Sequence, residues 1–420
     1  MVQEKLVSSE KTKNDNNVYH EEKFNSPLLK FNNSEEWKSN IKIGDLTEKV
    51  IAGATPRTSN NEYWENGTIP WLSSGEIHKK HIEYTDKFIT KLGYDNSSTK
   101  MIPKHSVLIA LAGQGKTRGT VAINNIELCT NQSVASIIPN DTKLYYKYLF
   151  YYLENQYDKL RALSSSDGGR GGLNLKLIKS FKINLPSIDE QKKIANFISK
   201  IDEKIELLEK KLVLYRKQKN YYLNEIFLVK LLKTNINHLT LKNVCEKIEN
   251  GFSGQQVPYK TNFPVTRIET MSSGKINYEK VGFVEEIDEK YRLKDGDLLL
   301  TNINSLKWIG NVVYFEDKKP LYHGMNLMLL RPKNEFNSRY IYYYIFFHNK
   351  WFKKMACQAV NQASINKSTL EKFSVLIPNL EIQNQIGNLM TNIDWKISLA
   401  EKEIEKTKLY KKSLLQKMFV

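Results

Sequence analysis

Several short segments carry residues of types and spacings that could do chemistry. Ala112-Gly113-Gln114-Gly115-Lys116-Thr117 has part of the spacing of a phosphate-cradling loop. Such a loop needs a further glycine five positions before the Gly-Lys-Thr glycine. It also needs a following helix that aims backbone N–H groups at phosphate. Ala110 stands at the glycine position, and the strand-like run Arg118-Gly119-Thr120-Val121-Ala122-Ile123 stands where the helix should be. Nucleotide hydrolysis is therefore not expected. As an exposed loop bearing Gln114, Lys116 and Arg118, the segment suits nucleic-acid contact instead. His78 and His81 lie three apart, with no nearby Cys or His to complete a metal site, and read as surface histidines. Ile201-Asp202-Glu203-Lys204 and Ile287-Asp288-Glu289-Lys290 resemble part of a nuclease acid cluster. The first falls in a heptad-patterned stretch and the second beside a turn, so both read as solvated charge. No glycine-rich S-adenosylmethionine loop and no Asn-Pro-Pro-aromatic methylase motif is present. The chain reads as a binding protein, with no catalytic residue, no metal site and no cofactor of its own.

The elements that must carry such binding residues follow from charge and repetition. The 420 residues hold 63 Lys+Arg and 46 Asp+Glu, a formal net charge of +17. Hydrophobic residues are 40% of the chain, which argues for folded domains rather than disorder. The longest apolar-aromatic runs, Leu144–Leu153 and Tyr340–Phe347, are too short to span a bilayer. Residues 1–20 have no apolar core, so no secretory signal is expected. Cys129, Cys245 and Cys357 are too scattered for a disulfide framework or a zinc knuckle. A reducing, cytoplasmic setting and a polyanionic partner are the expectations. The charge is not spread evenly. Residues 37–185 and 233–376 each carry +7, whereas 1–36 carry −2, 186–232 carry +3 and 377–420 carry +2.

Two equally charged blocks suggest a duplication. Leu173–Phe227 aligns without gaps on Ile365–Phe419, with identities that include Asn174/Asn366, Phe181/Phe373, Pro186/Pro378, Gln191/Gln383 and Asp202/Asp394. Lys147–Tyr152 matches Arg339–Tyr344, and Ile43–Lys49 matches Leu241–Lys247. The matches keep their order, so the chain reads as a pseudo-dimer with pseudo-two-fold symmetry. The end of each repeat has the 4,3 spacing of a coiled coil. In the first copy the positions are Ile194, Ile198, Ile201, Ile205, Leu208, Leu212, Tyr215, Tyr222, Ile226 and Val229, with Lys219 the one polar interruption. In the second they are Ile386, Met390, Ile393, Ile397, Ala400, Ile404, Thr407, Lys411, Leu414 and Met418. A Ser187–Glu190 capping box and Asn379 should start the two helices. Forty residues make a rod of roughly 60 Å, and two rods in one chain pack most economically antiparallel. The first part of each repeat is mixed. Val107–Ala110, Thr120–Ile123, Ser136–Ile138 and Asp297–Leu300 read as strands, and Tyr145–Leu153 and Tyr340–Phe347 as helices or buried strands.

At this point the residues resemble a known family. Trp37, then Thr47-Glu48-Lys49-Val50-Ile51-Ala52-Gly53-Ala54-Thr55-Pro56, then Gly67-Thr68-Ile69-Pro70-Trp71-Leu72-Ser73-Ser74-Gly75-Glu76-Ile77 resemble the opening of a target recognition domain. Such domains occur in the DNA specificity subunits of bacterial type I restriction–modification systems. Pro186-Ser187-Ile188-Asp189-Glu190-Gln191 with Ile194 resembles the entry into that family's helical region. Val265-Thr266-Arg267-Ile268-Glu269, Gly296-Asp297-Leu298-Leu299 and Asn361–Asn366 resemble a second, differently specific recognition domain. Ile382 stands where the second helical region would usually carry Glu, which is expected to weaken that cap.

The resemblance implies an α+β fold: two mixed α/β target recognition domains in a pseudo-two-fold arrangement, joined by two long antiparallel coiled-coil helices. The boundaries are a mobile segment 1–26, recognition domains 27–185 and 233–376, and helical regions 186–232 and 377–420. It implies that each recognition domain reads one half of an asymmetric, bipartite double-stranded DNA site, while the helices set the gap. Two methyltransferase subunits would dock on the helices to methylate adenine, and two restriction/translocase subunits would join where the system restricts. S-adenosylmethionine, ATP and Mg would sit on those partners. The setting would be cytoplasmic and nucleoid-associated, without a membrane.

Reading bases needs forked or amide side chains next to phosphate-binding cations. The candidates in the first block are Thr55, Arg57, Ser73, Ser74, Gln114, Lys116, Arg118 and Arg170. In the second they are Gln255, Gln256, Tyr259, Lys260, Arg267, Asn302, Asn304, Ser305, Lys307, Asn361 and Gln362. Two other classes compete: an autonomous nuclease using a carboxylate cluster, and a non-enzymatic nucleic-acid-binding coiled-coil scaffold.

Overall fold

A computed structural model of the chain describes residues 27–31, 36–113, 116–163, 172–230, 236–271, 274–316, 319–359 and 362–419. They divide into two compact units. One comprises Met1–Ile205 with Lys406–Val420, the other Glu206–Glu405.

The first unit is built on a sheet of β2 (Thr47–Ala52), β9 (Val134–Pro139), β6 (Val107–Ala110), β7 (Val121–Asn124) and β4 (His81–Ile82), in that order. A second sheet orders β5 (Lys87–Ile89), β3 (Ile69–Leu72) and β8 (Cys129–Thr130), and β1 (Lys38–Lys42) pairs with β10 (Lys182–Leu185). Strand β6 is buried along its whole length, so it reads as continuously apolar rather than alternating. A short helix α1 (Lys91–Asp95) follows β5. The ambiguous aromatic run is a helix, α2 (Tyr146–Asn155), followed by α3 (Tyr157–Leu163) and α4 (Leu175–Ser180). Its rings form the core with the sheet, Tyr148 and Tyr151 being almost wholly buried. Tyr148 satisfies its hydroxyl by donating to Asn184 O at 2.7 Å.

Having begun in the first unit, helix α5 (Ile188–Asn224) leads into the second, where β11 (Asn237–Thr240), α6 (Leu241–Val244) and β12 (Cys245–Asn250) follow. Next come the paired strands β13 (Phe263–Val265) and β14 (Gly282–Val284), then β15 (Leu298–Leu300), β16 (Ile303–Asn304), β17 (Val312–Tyr314) and β18 (Met328–Pro332). The main sheet has the order β12-β18-β15-β17. It repeats β2-β9-β6-β7, including a register shift at the same place in the first strand. The second aromatic run is also helical, α7 (Ser338–Phe347), followed by α8 (Asn349–Met355). Then β19 (Cys357–Ala359) and β20 (Gln362–Ser364) form, with β16, a small sheet β16-β20-β19. Helix α9 (Lys367–Glu371), β21 (Ser374–Ile377) paired with β11, and helix α10 (Leu380–Met418) complete the chain.

The heptad positions face inward. Ile194, Ile198, Ile201, Ile205 and Leu208 are buried on α5, as are Ile386, Met390, Ile393 and Ile404 on α10, while Leu212 and Ile397 are half-buried. Pairing is antiparallel within each unit. In the second, Lys219 Nζ meets Asp394 at 2.7 Å and Arg216 meets Glu401 at 2.9 Å. In the first, Lys411 Nζ meets Asp202 at 2.8 Å, next to a cluster of Ile201, Ile205 and Leu414. Lys219, expected as a mere interruption of the stripe, is thus an ion-pair partner.

One expectation needs correction. Val229 is 42% exposed, because residues Glu225–Lys230 form π-helical turns that break the 4,3 phase. At the first cap Glu190 donates its N–H to Ser187 Oγ at 3.3 Å, as the expected capping box requires, and its carboxylate also accepts the Phe31 N–H at 2.6 Å. At the second cap Asn379 Oδ1 accepts the Ile382 N–H at 2.9 Å, while the Ile382 side chain has no acceptor for the return bond that a Glu would make.

Candidate nucleic-acid interface

In the first unit three loops converge on the turn Asn131–Ser133. Asn131 N–H donates to Leu72 O at 3.0 Å, at the end of β3. Leu111 N–H donates to Ser133 O at 2.8 Å, at the start of the loop carrying Lys116 and Arg118. Gly53 lies against Thr130, close enough that a Cβ there would stand 1.9 Å from Thr130 O, so only glycine fits. The following loop is pinned by Trp71 Nε1 and Thr99 Oγ1, which both donate to Ala54 O. Thr55 then donates to Gln132 Oε1 at 2.5 Å.

This convergence sets Thr55 on Gln132, with exposed Arg57 two residues beyond, and places Ser73 and Ser74 directly after Leu72, whose carbonyl holds the neighbouring Asn131. Ser73 is committed to structure: its N–H and Oγ both donate to Glu76 Oε2, a capping box on the short helix Ser74–Lys79. Ser74 is half-buried, Lys116 is exposed and Arg118 is half-buried. Gln114 and Arg170 lie outside the described residues.

The second unit repeats the convergence at the turn His323–Leu327. Phe252 N–H donates to His323 O, Thr266 N–H to Tyr322 O, and Gly324 N–H to Thr266 Oγ1 at 2.8 Å. A Cβ on Gly251 would lie 2.1 Å from Gly324 O. His323 is buried and bonded to Leu327 O, and burial pushes its pKa down to about 4. A neutral imidazole therefore holds the turn.

Around this turn stand exposed Gln255, half-buried Gln256 and exposed Arg267, with Arg267 Nε donating to Gln256 Oε1 at 2.7 Å. Tyr259 donates its hydroxyl to Glu285, and Lys260 is exposed. A second group lies on the small sheet. Asn304 Oδ1 accepts the Ser305 N–H at 2.7 Å, Lys307 Nζ sits 5.1 Å from the Trp308 ring centre, and Gln362 belongs to β20. Asn302 is placed differently from expectation. It is 3% exposed, its carbonyl accepts the Ile365 N–H, and it belongs to the frame of the loop rather than its surface. Asn361 lies outside the described residues.

The sequence reading missed Gln132, Thr266, Thr270 and Gly282, which position other candidates. The polar triplet Asn131-Gln132-Ser133 between two apolar runs was an available signal. Among the described residues no group of three or more His, Cys, Asp or Glu could hold a metal ion, and no helix is long and apolar enough to cross a membrane.

Residues 34–214 and 219–409 each match the family described as the type I restriction modification DNA specificity domain. Over 187 residues the chain is 42% identical to the putative type I restriction enzyme MjaX specificity subunit of Methanocaldococcus jannaschii, covering 43% of this chain and 44% of that one. Over 211 residues it is 31% identical to the EcoR124I/EcoR124II specificity subunit of Escherichia coli, covering 49% and 51%. The chain thus spans about half the length of these two relatives. The MjaIX specificity subunit of M. jannaschii is 26% identical over 413 residues, covering 90% and 91%. In three dimensions the fold is similar to the type I restriction–modification S subunit of Mycoplasma genitalium, with a TM-score of 0.65, 19% identity, and 94% and 99% of the two chains covered.

Proposed function

Because the chain belongs to the type I restriction modification DNA specificity family, with two matched copies of its domain, we propose that it is the DNA-reading subunit of a type I restriction–modification complex. Each unit recognises one half of an asymmetric bipartite duplex site, and the chain positions methyltransferase subunits for adenine methylation. Restriction/translocase subunits join the same complex, and S-adenosylmethionine, ATP and Mg belong to those partners. The proposed setting is the cytoplasm, on nucleoid DNA.

The observation that carries this reading is a pair of matching convergences, in which the loops that follow the equivalent strands β2 and β3, and β12 and β13, meet the turns Asn131–Ser133 and His323–Leu327. Their frames repeat, whereas the side chains they present do not. Thr55, Arg57 and Gln132 stand at one, Gln255, Gln256 and Arg267 at the other. A shared frame with divergent side chains is what two unlike half-sites require. The +7 charge of each block supplies sequence-blind attraction to phosphate. Both α5 and α10 carry residues of both units, so their length is the quantity proposed to set the half-site gap.

Footprinting the chain with its methyltransferase on duplex DNA tests the reading. Two short, unlike protected half-sites about one helical turn apart are expected. One continuous footprint, or none, contradicts it. Metal-dependent cleavage by the purified chain alone would favour a nuclease, and equal affinity for random RNA and duplex DNA would favour a scaffold.

A further inference from the structure

We infer that Arg267 reads a guanine in the half-site of the second unit, with Gln256 as its positioning residue; this rests on the DNA-reading function proposed above.

Arg267 follows β13, and its backbone N–H is held by Thr270 Oγ1 at 2.8 Å. Its side chain is exposed, yet its Nε is anchored at 2.7 Å on Gln256 Oε1. That bond uses the inner edge of the guanidinium. Among the described residues the two terminal nitrogens have no acceptor. An exposed arginine ordinarily samples many rotamers, and ordering one costs side-chain entropy on binding. Here one amide holds the fork before any ligand arrives.

Gly282, facing Val265 across the β13–β14 pair, makes room for the arrangement. A Cβ there would stand 2.3 Å from Gln256 Oε1 and 3.1 Å from Arg267 Nε. Three segments therefore cooperate: the loop after β12 supplies the amide, the β13 junction supplies the arginine, and β14 supplies the gap.

A planar fork with two free N–H donors matches the O6 and N7 acceptors that guanine presents in the major groove. Adenine offers N7 beside an N6 donor, which a guanidinium cannot accept from. In the first unit the equivalent junction residue is Ser73. Its N–H is likewise held three residues on, by Glu76, but its short side chain is spent on the cap. The two units thus differ in kind at this position, as unlike half-sites demand.

The test selects bound duplexes from a DNA library randomised over the bipartite site, using the chain with its methyltransferase. Wild type, Arg267→Ala, Gln256→Ala and Gly282→Ala are compared. Wild type should enrich two half-sites, one containing a guanine. Arg267→Ala should reduce the preference for that guanine by about ten- to hundredfold and leave every other position unchanged. Gln256→Ala and Gly282→Ala should weaken the same preference less. An unchanged first half-site shows that each variant is folded. The inference is overturned if Arg267→Ala leaves all base preferences intact, or lowers affinity equally for every sequence, as loss of a phosphate contact would. A wild-type selection that enriches no bipartite site overturns the underlying function itself, and that result is visible before any variant is examined.

Discussion

Lys411 Nζ of α10 lies 2.8 Å from Asp202 of α5, and both residues stand on the heptad stripe or beside it. Tyr151 donates its hydroxyl to the same carboxylate at 2.9 Å. The second unit repeats the trio with the helices exchanged. Lys219 of α5 meets Asp394 of α10 at 2.7 Å, and Tyr343 donates to Asp394 at 2.8 Å. A buried polar group on an apolar seam chiefly specifies register and orientation, because every other alignment leaves it unpaired. The surroundings differ in one respect. Lys411 also reaches Glu154 at 3.0 Å, whereas Lys219 lies over the Phe346 ring at 4.5 Å.

Reversing one charge of the pair should therefore be costly. Asp202→Lys is expected to destabilise the protein by about 1–3 kcal/mol, less than the loss of a fully buried pair, because Asp202 is half-buried and Lys411 keeps Glu154 as a partner. Lys411→Asp in addition should restore a good part of it. Urea denaturation of the two variants checks this. Additive losses in the double variant would deny the pair a role in register.

Acid sensitivity should centre on His323. Its folded pKa is about 4, lowered from an ordinary 6.5 by burial and next by Arg331. The unfolded chain therefore takes up this proton first as pH falls. The stabilisation associated with the neutral ring is complete above 6.5 and is lost progressively down to about 4. Its full size is on the order of 3 kcal/mol. Urea midpoints at pH 7.5 and 4.5 should differ more for the wild type than for His323→Gln. Equal differences would remove His323 from the account.

Two glycines should separate the two half-sites. A Cβ at Gly53 meets Thr130 O at 1.9 Å, and one at Gly251 meets Gly324 O at 2.1 Å, both backbone atoms that cannot swing away. Gly53→Ala is expected to weaken discrimination in one half-site and Gly251→Ala in the other, each by more than about tenfold if the loop shifts by 1 Å. Binding to site variants measures this. Loss in both halves from either change would contradict the modular reading.

Arg57 and Lys116 are exposed, and among the described residues neither cationic side chain has a hydrogen-bond or ion-pair partner. Replacing either by alanine should lower affinity for all sequences and reduce the slope of log affinity against log salt by about one. An unchanged slope means the residue touches no phosphate.

How much of this was legible in the sequence depends on range. The helices were legible because 4,3 spacing reports burial directly, and Ile194 to Leu208 lie on the seam as that spacing requires. The duplication was legible because Gln191 and Gln383 do the same work. Gln191 accepts the Tyr145 N–H and donates to Pro186 O; Gln383 accepts the Asn337 N–H and donates to Pro378 O. The interface was only partly legible. Thr55 and Gln132 are 77 residues apart and meet through a turn, which no local pattern announces. Asn302 and Asn304 look alike in sequence, yet one is buried in the frame and the other is half-buried on β16. The role of Lys219 needed its partner Asp394, 175 positions away, to be seen.

The most direct measurement of the central claim is the methylated sequence itself. Adenine methylation is mapped genome-wide in a host carrying this chain and its methyltransferase. It is mapped again with residues 239–376 replaced by the matching block of another family member. The account predicts a bipartite motif in which one half changes and the other half and the gap stay the same. A motif that changes in both halves, or in neither, would contradict it.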